Sequence, residues 1–160
     1  MRILLATDAW EPQVNGVVRT LTRIVAELRD LGDEVEVISP DQFPSFPLPT
    51  YPEIKLAVGA YEKVQEKFKS FEPEAIHIAT EGSLGIAARR HCLRRGWRFT
   101  TSFHTKFAEY LHARTHFPIS WTYAWLRRFH AASARIMVAT PSLETELTQH
   151  GFLRLARWSR

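Results

Sequence analysis

Short apolar runs separated by longer stretches of helical period recur from one end of this chain to the other, and that alternation leaves few architectures open. Residues 2–7 read as a buried strand. Residues 17–31 place Val17, Val18, Leu21, Ile24, Val25, Leu28 and Leu31 on one helical face, and Gly32 follows where a helix-ending glycine belongs. The strand signal returns at 35–39, 53–58, 75–79, 98–103 and 136–139. Helical patterns occupy 61–71, 83–95 (closed by Gly96), 106–113 and 119–133, with a last helix capped by Ser142 and reaching His150. Pro40, Pro44, Pro47, Pro49 and Pro52 make 40–52 read as an extended loop with few backbone donors. The pattern predicts an α/β domain, a mostly parallel sheet with helices on both faces.

With 160 residues, the chain has the length of one domain with its own core and is too short for two full ones. Hydrophobic residues at 45% and charged residues at 24% exclude a disordered chain. No apolar run is long enough to span a membrane. The first apolar run ends at Asp8, too early for a signal-peptide core, so the expected location is cytoplasmic. Cys92 is the single cysteine, which leaves no intrachain disulfide and no cysteine metal cluster.

The net charge of +4 is mild, and its distribution matters more. Arg89, Arg90, Arg94, Arg95 and Arg98 form one basic cluster and Arg154, Arg157 and Arg160 another. Each reads either as a solvated helix face or as a surface for phosphate groups. A nucleic-acid partner is not expected, because the excess of charge is modest and the pattern is that of a parallel sheet. The segment from Phe117 to His130 mixes aromatic and basic residues, and reads either as core or as a peripheral contact at the inner face of the membrane.

Open α/β sheets bind ligands outside the carboxyl ends of their strands, which directs attention to residues 8–16, 41–52, 80–82 and 104–110. Gly16 opens the first helix directly after the first of these. A glycine there lets a ligand approach the backbone, and the helix start offers N–H groups and a positive dipole end to phosphate. One glycine is not a dinucleotide fingerprint, and a plain strand-to-helix turn fits the same residues equally well.

The stretch Thr7-Asp8-Ala9-Trp10-Glu11-Pro12-Gln13-Val14-Asn15-Gly16-Val17-Val18-Arg19-Thr20-Leu21 resembles the opening of bacterial family 4 glycosyltransferases, the retaining GT-B group, and among them the mannosyltransferases and glycolipid glycosyltransferases. Further likenesses follow in order: His77-Ile78-Ala79-Thr80-Glu81-Gly82, then Thr101-Ser102-Phe103-His104-Thr105, then Ala139-Thr140-Pro141-Ser142. The resemblance implies a Rossmann-like, three-layer domain, the amino-terminal, acceptor-side half of a GT-B fold over residues 1–160. The carboxy-terminal nucleotide-sugar-binding domain would lie outside this chain.

It also implies roles. Gly16, with Asn15 and Val17, would meet the donor diphosphate. His104 would face the donor sugar and the reaction centre as the catalytic residue; from the residue alone, a histidine satisfied at a strand end fits as well. Trp10, Arg19, Glu81, Thr105 and Lys106 are candidate sugar or acceptor contacts. The implied reaction moves a hexose, mannose first, from GDP-mannose or a UDP-sugar to a lipid or glycan acceptor with retention. No cofactor and no metal are expected, and the fragment alone is expected to be inactive. The alternative is a free-standing Rossmann-like module that holds a phosphorylated or sugar ligand without catalysis.

Two further spacings are coincidental matches. Glu66 and Glu74 have the separation of the family's paired glutamates, but Pro73 lies between them and they flank a helix-to-strand connection. His112 and His116 have zinc-helix spacing, yet no acidic ligand stands at the matching position.

Overall fold

The computed structural model describes residues 1–49, 51–104 and 106–158, the side chains at 51, 53 and 54 excepted. It divides into two compact units, Met1–Phe99 and Thr100–Arg160.

In the first unit, β1 (Arg2–Ala6) lies between β2 (Glu34–Ile38) and β5 (Ala75–Ile78), parallel to both. The register sets Leu5 opposite Val37 on one side and His77 on the other. Leu4 and Leu5 point to opposite faces of β1 and are both buried, so the sheet is covered on two sides. On one face α1 (Gly16–Asp30) presses Leu21 and Val25 onto Leu5, Val35 and Val37. α2 (Ala60–Phe71) and α3 (Ser83–Arg95) pack against each other and against β1. Gly96 ends α3 at φ +67°, the left-handed residue that the helix end calls for. Cys92 is fully buried on α3, and burial pushes its thiol up to about 12.

Residues 40–52 do not form the extended loop that their prolines suggest. Pro40–Gln42 make one turn of 3-10 helix, and β3 (Ser45–Leu48) pairs antiparallel with β4 (Tyr51–Ala57) in a separate two-stranded sheet. A two-stranded ribbon consists of edges, and proline is tolerated on an edge because its missing N–H need not meet a partner. The register shifts between Pro47 and Leu48. The strand expected at 53–58 is therefore half of this hairpin and not a member of the parallel sheet.

In the second unit, β7 (Ile136–Val138) lies parallel between β6 (Thr100–Phe103) and β8 (Leu155–Arg157). Phe103, Ile136 and Val138 from the strands meet Ala108 of α4 (Phe107–Thr115), Tyr123 and Leu126 of α5 (Ile119–His130) and Leu147 of α6 (Pro141–Gln149) in one core, joined by Phe152. The cap of α6 is Thr140, not Ser142: Thr140 Oγ1 accepts from the Leu143 N–H at 3.2 Å, and Pro141 takes the first helical position. The aromatic segment serves two environments. Tyr123, Leu126 and Phe129 are core, whereas Phe117, Trp121 and Trp125 are exposed. Parallel strands alternating with helices make this an α/β, Rossmann-like chain.

Candidate functional site

In the first unit the candidate ligand edge is the carboxyl end of β1 and the start of α1. Asn15 has extended backbone, and its side-chain oxygen accepts from the Val18 N–H at 3.0 Å, so it serves as the cap of α1. Gly16 follows, exposed, with no atom within 4 Å of the position a Cβ would take. Its backbone is open to approach, as a phosphate-binding helix start requires. Val17 turns its side chain toward the core, which leaves its backbone N–H as the group it could offer a ligand. Trp10 also packs against that core, and its carbonyl accepts from the Gln13 N–H at 3.1 Å. Arg19 is exposed beside a surface hollow shared with Glu11, Gln13 and Val18.

A residue that sequence reasoning did not single out organises the same edge. Asp8 is buried to 4% exposure, one residue beyond the predicted end of β1. Its carboxylate accepts from Thr80 Oγ1 at 2.9 Å, Ser83 Oγ at 2.9 Å and the Leu84 and Gly85 N–H groups at 2.8 and 3.3 Å. The Asp8 N–H in turn donates to Thr80 Oγ1 at 2.7 Å. Asp8 thus caps α3 from another strand, in place of Gly82, which has no side chain to do so. Burial pushes the Asp8 carboxyl above its ordinary range, and the four donors act against that shift. Both glycines of this turn are sterically required. A Cβ on Gly82 would stand 2.4 Å from the Asp8 carboxyl carbon, and one on Gly85 would stand 1.9 Å from the Thr80 carbonyl oxygen. Glu81 sits inside this same tightly built turn, half-buried.

In the second unit His104 follows β6 directly at its carboxyl end, half-buried. Its Nε2 shares a hydrogen bond of 2.7 Å with Ser102 Oγ, and Ser102 is wholly buried. The Trp158 ring lies 5.4 Å from the imidazole, between centroids, and the backbone N–H of Trp158 donates to the Val138 carbonyl at 3.1 Å. A buried serine and an indole therefore orient the ring. Thr105 lies outside the described residues. Lys106 is exposed and holds Glu146 at 2.8 Å, which raises its ammonium above the ordinary lysine value.

The His112 and His116 rings meet edge to face, 6.2 Å between centroids, but not as two residues of one helix. His116 lies past the end of α4 in the left-handed region, at φ +54°, and the His112 Nδ1–H donates to the Phe117 carbonyl at 2.8 Å. Among the described residues no three His, Cys, Asp or Glu side chains converge as a metal site would require. No helix among them is long and apolar enough to cross a membrane.

The family described as Glycosyltransferase Family 4 matches residues 14–158. A GDP-mannose-dependent alpha-mannosyltransferase of Mycolicibacterium smegmatis is 26% identical over 181 aligned positions, covering 100% of this chain and 48% of that protein. The protein of the same name from Mycobacterium tuberculosis is 24% identical, covering 100% of this chain and 47% of its own length. An alpha-monoglucosyldiacylglycerol synthase of Streptococcus pneumoniae is 26% identical over 125 positions, 70% of this chain and 28% of that protein. The chain spans about half the length of the curated mannosyltransferases it matches. Matched by the family over nearly all of its residues, this chain belongs to Glycosyltransferase Family 4.

Proposed function

We propose that this chain is the acceptor-side part of a retaining glycosyltransferase that moves a hexose, mannose first, from a nucleotide sugar to a lipid or glycan acceptor, and that it does not complete the reaction alone. The observation that carries this reading is the alignment of two GDP-mannose-dependent mannosyltransferases along the whole of this chain, which covers less than half of each. The start of α1 is suited to a diphosphate: exposed Gly16 and the backbone of Val17, fixed by the Asn15 cap, stand at a positive helix end. His104, oriented by Ser102, faces the donor sugar and acceptor hydroxyl. The leaving diphosphate takes the proton of the attacking hydroxyl, and preorganised donors stabilise the departing charge. Trp10, Arg19, Glu81, Thr105 and Lys106 are the further candidate contacts for the sugar or the acceptor. The exposed Phe117, Trp121 and Trp125 give a peripheral contact to a cytoplasmic membrane face, where a lipid acceptor would be met.

The test compares residues 1–160 with a longer product of the native gene that carries the portion aligned to the relatives' remaining half. Each is incubated with radiolabelled GDP-mannose, UDP-glucose or UDP-glucuronate and a membrane-lipid extract. Transfer by the longer protein, its loss in a folded His104→Ala variant and silence from residues 1–160 are expected. Turnover by residues 1–160 alone would remove the claim of incompleteness. A longer protein that neither binds nor transfers any of the three sugars would remove the glycosyltransferase reading.

A further inference from the structure

Between Glu81 and Glu109 the sequence carries five arginines and no acidic residue. Arg94 and Arg95 stand in the last turn of α3, where a cation complements the negative end of the helix. Arg90 has no such role. It lies one turn earlier, four residues before Arg94 and so on the same exposed face, where like charges repel.

No carboxylate neutralises this pair. α2 packs against α3 and carries Glu62 and Glu66, both exposed. Among the described residues neither of these acids, nor any other, forms an ion pair with Arg90 or Arg94. The fold supplies a ring instead. Tyr61 is half-buried in the first turn of α2, a helix anchored by the buried Ala60 and Val64. Arg90 Cζ stands 4.8 Å and Arg94 Cζ 5.6 Å from the Tyr61 ring centroid. Arg94 Nη1 also donates to the Tyr61 hydroxyl at 3.4 Å. A ring attracts a guanidinium through its quadrupole, and leaves the charge uncancelled and most N–H groups unused. Two planar forks are thus oriented by one side chain, with their charge still available to an anion.

We propose that Arg90 and Arg94, held by Tyr61, form a binding site for a phosphate group. Such a group carries up to two negative charges near neutral pH and offers oxygens to both forks at once. Its binding also removes the repulsion between the two arginines. α3 leads away from the carboxyl end of β5, so the pair lies about 10 to 17 Å along the helix from Ser83. The site stands on its own geometry and does not depend on the transfer reading. The phosphate can belong to a soluble molecule or to a lipid headgroup, because the chemistry at the two arginines is the same.

The test titrates the 160-residue chain with inorganic phosphate at fixed ionic strength. The side-chain Nε–H resonances of Arg90 and Arg94, identified by their loss in Arg90→Gln and Arg94→Gln, are expected to shift together and saturate. Each of these variants is expected to weaken the binding about tenfold. Tyr61→Ala leaves every charge in place and is expected to weaken it about fivefold, while Tyr61→Phe, which keeps the ring, restores it. Arg95→Gln removes a charge from the same helix end and is expected to change it by under about twofold. Vesicles of phosphatidylcholine with and without phosphatidic acid separate the two sources. Sedimentation with phosphatidic acid, lost in Arg90→Gln, assigns the phosphate to a lipid; saturable binding of inorganic phosphate without sedimentation assigns it to a soluble molecule. Neither response in the wild-type chain overturns the proposal. A response that a folded Tyr61→Ala chain retains in full overturns it too, since diffuse charge then accounts for the binding. If Tyr61→Ala does not fold, Arg90→Gln is set against Arg95→Gln, and equal losses overturn the site.

Discussion

Two glycines of this chain look alike in sequence and do opposite things. Gly16 borders open space, so Gly16→Val is expected to leave stability within about 0.5 kcal/mol while excluding a phosphate from the helix start. Calorimetric titration with a nucleotide sugar and a thermal melt, both on the longer protein, separate the two effects. Unchanged affinity would end the diphosphate role of this turn. Gly85 faces the Thr80 carbonyl oxygen, a backbone atom that cannot turn aside. Gly85→Ala is expected to cost about 3 kcal/mol in urea unfolding, as overpacking does. In the sequence Gly16 stands out because it opens the first helix, and His104 because the family resemblance implies a role for it. Asp8 could not be found in that way: its partners Thr80, Ser83, Leu84 and Gly85 lie 72 to 77 residues away. The usable signal was a carboxylate ending an apolar strand with no charged partner near it in sequence.

At the scale of elements, the helices and the short strands β1, β2, β5, β6 and β7 stand where their sequence patterns put them, whereas β8 and the β3–β4 hairpin were not read. α1 and α3 carry enough turns for their apolar faces to declare themselves, and both end at residues before a positive-φ glycine. β8 has three residues and, unlike the equally short β7 with its Ile-Met-Val run, carries no β-branched apolar run to mark it. The β3–β4 hairpin was hidden because proline argues against strands in general, whereas an edge accepts it. At α6 the sequence offers two hydroxyls, and only the geometry assigns the cap to Thr140. Thr140→Ala is therefore expected to lose about 1 kcal/mol and Ser142→Ala under about 0.5 kcal/mol in denaturant unfolding. α3 also carries a histidine whose titration bears on stability. Its His91 is buried among Phe68 and Trp97 with Nδ1 unpartnered, and burial, helped by Arg95, holds its pKa below the ordinary value. The unfolded chain therefore takes up the proton first. Stability present above about pH 6.5 falls as the pH drops through the lowered value. His91→Leu is expected to flatten that part of a stability–pH curve; an unchanged slope would assign it to another group.

At the scale of the whole molecule, family membership is firm and the chemistry of transfer is the proposal to test. Each unit holds one part of what the proposed reaction requires, the open helix start at Gly16 in Met1–Phe99 and the oriented His104 in Thr100–Arg160. How the two respond to a donor can be followed because of the sealed thiol on α3. Cys92 is wholly buried and its thiol is held near 12, so maleimide dyes have no native target in the folded chain at neutral pH. A cysteine introduced at exposed Val14 in one unit, and another at exposed Trp125 in the other, would be the only addressable handles. The chain thus comes ready for double labelling with its native cysteine left in place, and a dye pair across those positions becomes a ruler read as each nucleotide sugar is added.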